Sequence, residues 1–119
     1  REQNKGIYEG QFGKNMWENI KKSGLPYDKF KPKGGESMSE VNQRTIKFYN
    51  ELINKHLGKT VLIITHGGPV RCLLMTLHNE SEENYKKYIH GNTSMTILEI
   101  NDDKKHNVKV FNCNKHLEN

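Results

Sequence analysis

The sequence predicts an α/β fold in which helices cover a sheet, and three observations predict it. The run Thr60-Val61-Leu62-Ile63-Ile64-Thr65 is apolar and rich in β-branched residues, without polar alternation, which is the pattern of a strand buried on both faces in a parallel sheet. Upstream of it, residues 39–56 repeat apolar side chains at helical spacing. Downstream, two alternating segments flank a polar turn and read as a pair of strands. In chain order the elements are helix, helix, strand, helix, helix, strand, strand.

Each element has a local reason. From Glu9 to Lys22, the residues Phe12, Met16, Trp17 and Ile20 fall on one helical face, and Gly24-Leu25-Pro26 closes the segment. Tyr27 to Gly35 is polar, with Pro32 and two glycines, and reads as a loop. Ser37-Met38-Ser39-Glu40 has the capping-box pattern, with Ser three residues before Glu. The helix it opens runs to His56 on a face built from Val41, Thr45, Phe48, Leu52, Ile46, Tyr49 and Ile53, and Gly58 stops it. After the Thr60–Thr65 strand, Val70 to His78 resumes helical character and Ser81 to Ile89 forms a second short helix. Ser94 to Ile100 alternates as a strand, Asn101-Asp102-Asp103 turns, and Val108 to Cys113 returns.

Composition bounds the function. The chain has 119 residues, enough for one small domain, residues 1–119, and no linker or repeat divides it. Apolar residues make up 33% of the chain and come in blocks, which argues against disorder although the share is low for a self-contained globule. No apolar run approaches the roughly 20 residues that cross a bilayer, so no membrane partner is expected. The net charge is +5, yet the lysines are scattered among Asp and Glu rather than forming a basic stripe with aromatics. They read as solvated, and no nucleic-acid partner is expected. Cys72 and Cys113 form neither a CxxC nor a zinc spacing, which fits a reducing, cytoplasmic compartment.

The sharpest chemical feature is Thr65-His66-Gly67-Gly68-Pro69, at the end of the apolar strand and the start of a helix. Ligands of open α/β sheets bind beyond the carboxyl ends of strands. The two glycines permit a sharp turn and close approach of backbone to a ligand, and Pro69 suits a first helical turn. The free N–H groups there attract an anion, most naturally phosphate. A histidine beside it can stabilise charge building in phosphoryl transfer, and position with flanking glycines favours this over a merely satisfied histidine. Other candidates are weaker. On local grounds Glu2 is a solvated terminal carboxylate and Glu9 a favourable first-turn anion. Lys33-Gly34-Gly35-Glu36-Ser37 lacks the ending of a phosphate-binding P-loop, Cys72 reads as core rather than nucleophile, and Arg71 as a brace. The six histidines show no metal-ligand pairing.

Taken in order, these blocks resemble the histidine phosphatase superfamily, the phosphoglycerate mutase-like group. Its Glu-x3-Gly-x2-Glu-Gly motif is matched by Glu2, Gly6, Glu9 and Gly10, and its Pro-Gly-Gly-Glu-Ser loop by Gly34-Gly35-Glu36-Ser37, with Lys33 in place of the proline. Its strand followed by Ser/Thr/Ala-His-Gly is matched by Val61 through Gly67, with Arg71 beyond, and its late Asn-x-Ser/Gly-x-Ser/Thr segment by Asn92, Ser94 and Thr96. The ending, with Asn92-Thr93-Ser94-Met95, Cys113-Asn114 and His116-Leu117, is similar to TIGAR-type fructose-2,6-bisphosphatases, although the short loop Lys55 to Lys59 lacks a long insertion associated with the vertebrate form.

The resemblance implies a three-layer fold with a mostly parallel sheet between helices. It implies a phosphatase acting on a small phosphorylated metabolite through a phosphohistidine, with no cofactor and no metal. The proton-donating carboxylate then falls on Glu2 and the second histidine on His66. The Gly67 N–H contacts phosphate, Gly68 permits the approach, and Lys5 stands where relatives place a substrate-contacting tyrosine. The family's nucleophile lies in an Arg-His-Gly motif, which occurs nowhere in this sequence. The expectation is therefore the carboxyl-terminal part of one domain, whose partner is its own missing amino-terminal segment, strands included, and which is inactive alone. Fructose-2,6-bisphosphatase, phosphoglycerate mutase and a non-catalytic interaction protein of the same fold remain the readings, and a homodimer stays open.

Overall fold

The computed structural model describes residues 1–118. A single 3-10 turn, Gly6–Tyr8, precedes α1 (Gly13–Ser23), α2 (Met38–His56) and α3 (Gly67–Leu77). A longer 3-10 segment, Glu82–Tyr88, leads to an antiparallel hairpin of β1 (Met95–Ile100) and β2 (His106–Cys113), and the turn Lys115–Leu117 follows. Among the described residues, no helix is long and apolar enough to cross a membrane.

The second helix forms where its cap predicts. The Ser37 hydroxyl accepts from the Glu40 N–H at 3.2 Å while the Glu40 carboxylate accepts from the Ser37 N–H at 2.8 Å, so two orphan donors are satisfied reciprocally. Met38, Val41 and Tyr49 form its buried face. The core continues through Leu74 and Met75 of α3 and Tyr88, with Val70, Tyr85, Leu98 and Val108 against them. Arg71 braces as expected: its guanidinium lies 6.0 Å from the Tyr27 ring centroid and 5.6 Å from that of Tyr85. Tyr27 in turn stacks on Trp17 at 4.9 Å, which ties α1 to α3.

Three expectations are corrected. The first helix starts at Gly13, not Glu9, because the Glu9 carboxylate turns back to accept the Lys5 N–H, and Gly10 adopts φ +73°. Phe12 consequently sits before the helix and is 86% exposed. The segment 81–89 winds as a 3-10 helix rather than an α-helix.

The largest correction concerns the sheet. The run Thr60–Thr65 has no regular secondary structure and joins no ladder among the described residues, and Leu62 and Ile64 are 85% and 91% exposed. A three-layer, mostly parallel sheet is absent among the described residues, where the sheet has two antiparallel strands. Extended backbone becomes a ladder strand only when a neighbour takes up its N–H and C=O groups. The described residues place none beside this run. Its composition still specifies burial, which leaves an apolar groove of about 310 Å³ lined in part by Phe48, Tyr49, Ile63, Ile64, Val70 and Leu73. The Tyr49 hydroxyl is buried there without a hydrogen-bond partner among the described residues, and burial raises its pKa.

The hairpin carries two single-residue register shifts. Leu98 to Ile100 pair with Val108, Asn107 and His106, whereas Ile97 pairs with Val110 and Met95 with Cys113, so the extra residues lie in β2. Asn112 takes φ +48° at the outer shift.

Candidate active site

His66 is the residue that caps α3 at its amino end, in extended geometry (φ −122°, ψ 160°), with its carbonyl receiving the Val70 N–H at 3.3 Å. Its side chain is left free of capping duty. The imidazole Nδ1 lies 3.8 Å from a carboxylate oxygen of Glu2, with both side chains about half exposed. That distance is an electrostatic contact rather than a hydrogen bond, and it joins residues from the two ends of the folded site.

Gly67 and Gly68 open the helix directly after His66. Neither has a positive φ, so the sharp turn expected of them does not occur. A Cβ on Gly67 would meet only the His90 carbonyl at 3.9 Å, and one on Gly68 only the Met38 methyl at 3.8 Å, both ordinary contacts. Neither backbone strain nor packing demands glycine here. What remains is the open approach to the first N–H groups of α3, which have no partner inside the helix.

The loop that faces Gly67 is fixed by a hydrogen-bond chain. His90 Nδ1 lies 2.9 Å from the Tyr88 carbonyl and Nε2 2.9 Å from the Thr96 hydroxyl oxygen. That oxygen also accepts the Asn112 N–H at 3.1 Å, while the Asn112 side-chain oxygen accepts the Gly91 N–H at 2.8 Å. The register shift in β2 is what aims Asn112 at this loop. Asn92 and Ser94, two of the residues matched to the late motif, lie on it.

Glu2 is held by its neighbours rather than by its own side chain. Two loops meet backbone to backbone: Ile7 donates to the Lys33 carbonyl at 3.0 Å, and Glu36 to the Asn4 carbonyl at 2.8 Å. The buried Gln3 side chain donates to the Glu36 carbonyl at 2.7 Å. Gly6, at φ +54°, leaves no room for a side chain, since a Cβ would stand 2.2 Å from the Lys33 carbonyl oxygen. Beneath this contact the Glu36 carboxylate accepts from Asn4 N–H at 3.0 Å, from Arg44 Nε at 2.9 Å and Nη2 at 3.2 Å, and from Arg1 at 3.3 Å. Arg44 also donates to the Arg1 carbonyl at 3.1 Å and to the Glu2 carbonyl at 2.9 Å.

Burial pushes the Glu36 carboxyl up, but the Asn4 N–H, the Arg44 bonds and charge, and Arg1 outweigh it and hold its pKa below the usual range. A lowered folded-state pKa stabilises fully above the unfolded value of about 4.3 and is lost as pH falls through the folded value. The melting-temperature gap between wild type and Glu36→Gln is therefore expected to hold at neutral pH and to close as pH drops below about 4. Melting curves across pH check this, and a gap that widens in acid contradicts it.

The structure thus brings together Glu2, His66 and Gly67, with Gly68 behind them. Lys5 is different: its backbone N–H is bound by Glu9, and its ammonium forms no ion pair among the described residues. Burial raises the Cys72 thiol pKa to about 11, which disfavours the reactive thiolate. Sequence reasoning missed the Glu36–Arg44 pair. Eight positions separate the two residues, which is no helical neighbour spacing, and the only signal was the Gly34–Ser37 motif itself.

A 2,3-bisphosphoglycerate-dependent phosphoglycerate mutase of Cytophaga hutchinsonii is 44% identical over 54 residues, 44% of this chain and 25% of the relative. A metal-independent phosphoserine phosphatase of Arabidopsis thaliana is 29% identical over 73 residues, 61% of this chain and 29% of the relative. The solved structure of Bacillus stearothermophilus YhfR superposes on 99% of this chain and 60% of that one, with a TM-score of 0.83 at 24% identity, and so shares its fold. The chain spans a quarter to a third of the length of these curated relatives. Residues 1–113, the segment that carries Glu2, the Glu36–Arg44 pair and His66, match the histidine phosphatase superfamily, branch 1, and the chain belongs to that family.

Proposed function

We propose that the whole protein hydrolyses a small phosphomonoester through a phosphohistidine, with Glu2 as proton donor and His66 and the Gly67 N–H holding the phosphoryl oxygens. The observation that carries this reading is the Glu2 carboxylate standing 3.8 Å from His66 at the open amino end of α3. The nucleophilic histidine attacks phosphorus and the bond to the leaving oxygen breaks. That oxygen takes the Glu2 proton. Water then attacks the phosphohistidine, Glu2 takes its proton, and inorganic phosphate leaves.

The nucleophile comes from strands of the same domain outside these 119 residues. Three observations support that: no Arg-His-Gly occurs in the sequence, Thr60–Thr65 has no ladder partner among the described residues, and the groove beside it is largely apolar. This chain by itself is then inactive. Fructose 2,6-bisphosphate is the first substrate to assay, on the strength of the ending around Asn92 and Cys113, and the two free thiols suit a cytoplasmic setting. Phosphoglycerate mutase is the second reading, favoured by the identity to the Cytophaga mutase; net release of inorganic phosphate separates hydrolysis from interconversion of 2- and 3-phosphoglycerate.

The test is to quench the whole protein during turnover of a radiolabelled phosphomonoester. An acid-labile, base-stable phosphoenzyme is expected. Turnover with no such species overturns the reading, as does turnover by residues 1–119 alone.

A further inference from the structure

We infer that Glu36 and Arg44 are positioning residues for the proton-donating carboxylate: together they clamp the backbone of residues 1–4 and so set where the Glu2 side chain stands relative to His66. The inference rests on the proton-donor reading of Glu2 and adds what holds that donor in place.

The Glu2 side chain itself is about half exposed and touches His66 only at 3.8 Å. Nothing at its own tip fixes it. Its backbone, in contrast, is held closely on either side. The Arg44 fork donates to the carbonyls of Arg1 and Glu2, and the Glu36 carboxylate takes the Asn4 N–H two residues on. Glu36 and Arg44 are themselves joined by two bonds, and the Glu36 side chain is only 15% exposed, which shields the pair from solvent and salt. The Arg44 side chain belongs to α2, whose first turn is fixed by the capping box, so the clamp is anchored to a rigid element.

The division of labour within the clamp is specific. Glu36 neutralises the guanidinium and orients it. Only the planar fork can reach Glu36 and two successive carbonyls together. A lysine ammonium keeps the charge opposite Glu36 but not that geometry. A donor displaced by about 1 Å loses rate while substrate binding, which rests on the phosphoryl site at α3, is retained.

The experiment uses the whole protein and the phosphomonoester it turns over, comparing Arg44→Lys, Glu36→Gln and Glu2→Gln. Arg44→Lys is expected to lower kcat about 10- to 100-fold with KM within about twofold, and Glu2→Gln to lower it further. In the Arg44→Lys, Glu2→Gln double variant the two losses do not add, since a misplaced donor and an absent one remove the same step. Where Glu36→Gln folds poorly, Arg44→Lys carries the test. Full kcat in Arg44→Lys, or additive losses in the double variant, overturns the clamp while leaving Glu2 as donor. Undiminished kcat in Glu2→Gln overturns both.

Discussion

Gly6→Ala is expected to destabilise the protein by about 2–5 kcal/mol, the sum of left-handed backbone strain and forced overlap. The residue sits at φ +54°, where an L side chain is strained, and its added methyl would stand 2.2 Å from the Lys33 carbonyl oxygen, 2.7 Å from Gly35 N and 2.9 Å from the Gly34 carbonyl carbon. All three are backbone atoms, so no side chain can swing aside. The loops must part, and the bonds Ile7 to Lys33 and Glu36 to Asn4 weaken with them. At about 4 °C per kcal/mol, the melting temperature falls by about 8–20 °C. Gly13→Ala is the control of opposite sign: it lies in open space at the start of α1, and alanine there is expected to stabilise by a few tenths to about 1 kcal/mol. Thermal unfolding followed by circular dichroism measures both, and a Gly6→Ala shift below about 2 °C contradicts the close contact.

The second large effect is on chemistry. In the whole protein His66→Ala is expected to lower kcat/KM by about 10²–10³, the usual cost of losing one donor aimed at developing charge, and Glu2→Gln by about 10²–10⁴, the range for a general acid. Stability should barely change in either, because the side chains are half exposed and, among the described residues, make no hydrogen bond, only their 3.8 Å electrostatic contact. The pair are distinguished by leaving group. A substrate whose leaving oxygen needs no proton, such as p-nitrophenyl phosphate, restores much of the Glu2→Gln kcat/KM, which reports phosphorylation of the histidine, and little of the His66→Ala kcat/KM. Equal recovery in both variants contradicts the assigned roles.

How much of this was legible depends on whether the signal was local. The cap of α2 was readable because Ser37 and Glu40 satisfy each other within one turn. The hairpin was readable because Asn101 to Asp103 interrupts two alternating segments. Thr60–Thr65 reads as a strand buried on both faces, yet it has no ladder partner among the described residues, since composition reports what a segment can bury and not whether a neighbour is there to bond it. The late start of α1 was hidden too: Glu9 looks like a helix anion until its carboxylate is seen on the Lys5 N–H. His66 announced itself through its glycines and strand end. Glu2 did not, and only the ordered motifs picked it out, because a lone carboxylate far from its partner in sequence carries no local pattern.

The two register shifts in β2 divide the hairpin into a part where length can drift and a part where it cannot. Residues 101–105 turn in solvent, beyond the last regular pairs, and an inserted residue there shifts no strand pairing and disturbs only the Lys104 bond to the Asn54 side chain of α2. A deletion between Val108 and Cys113 would straighten β2 and turn every side chain beyond it to the opposite face of the sheet. Asn112 would then leave Gly91, and the His90 carbonyl would no longer be held opposite Gly67. A strand that supplies none of the proposed catalytic side chains thereby governs how far the His90 carbonyl stands from Gly67 at the amino end of α3.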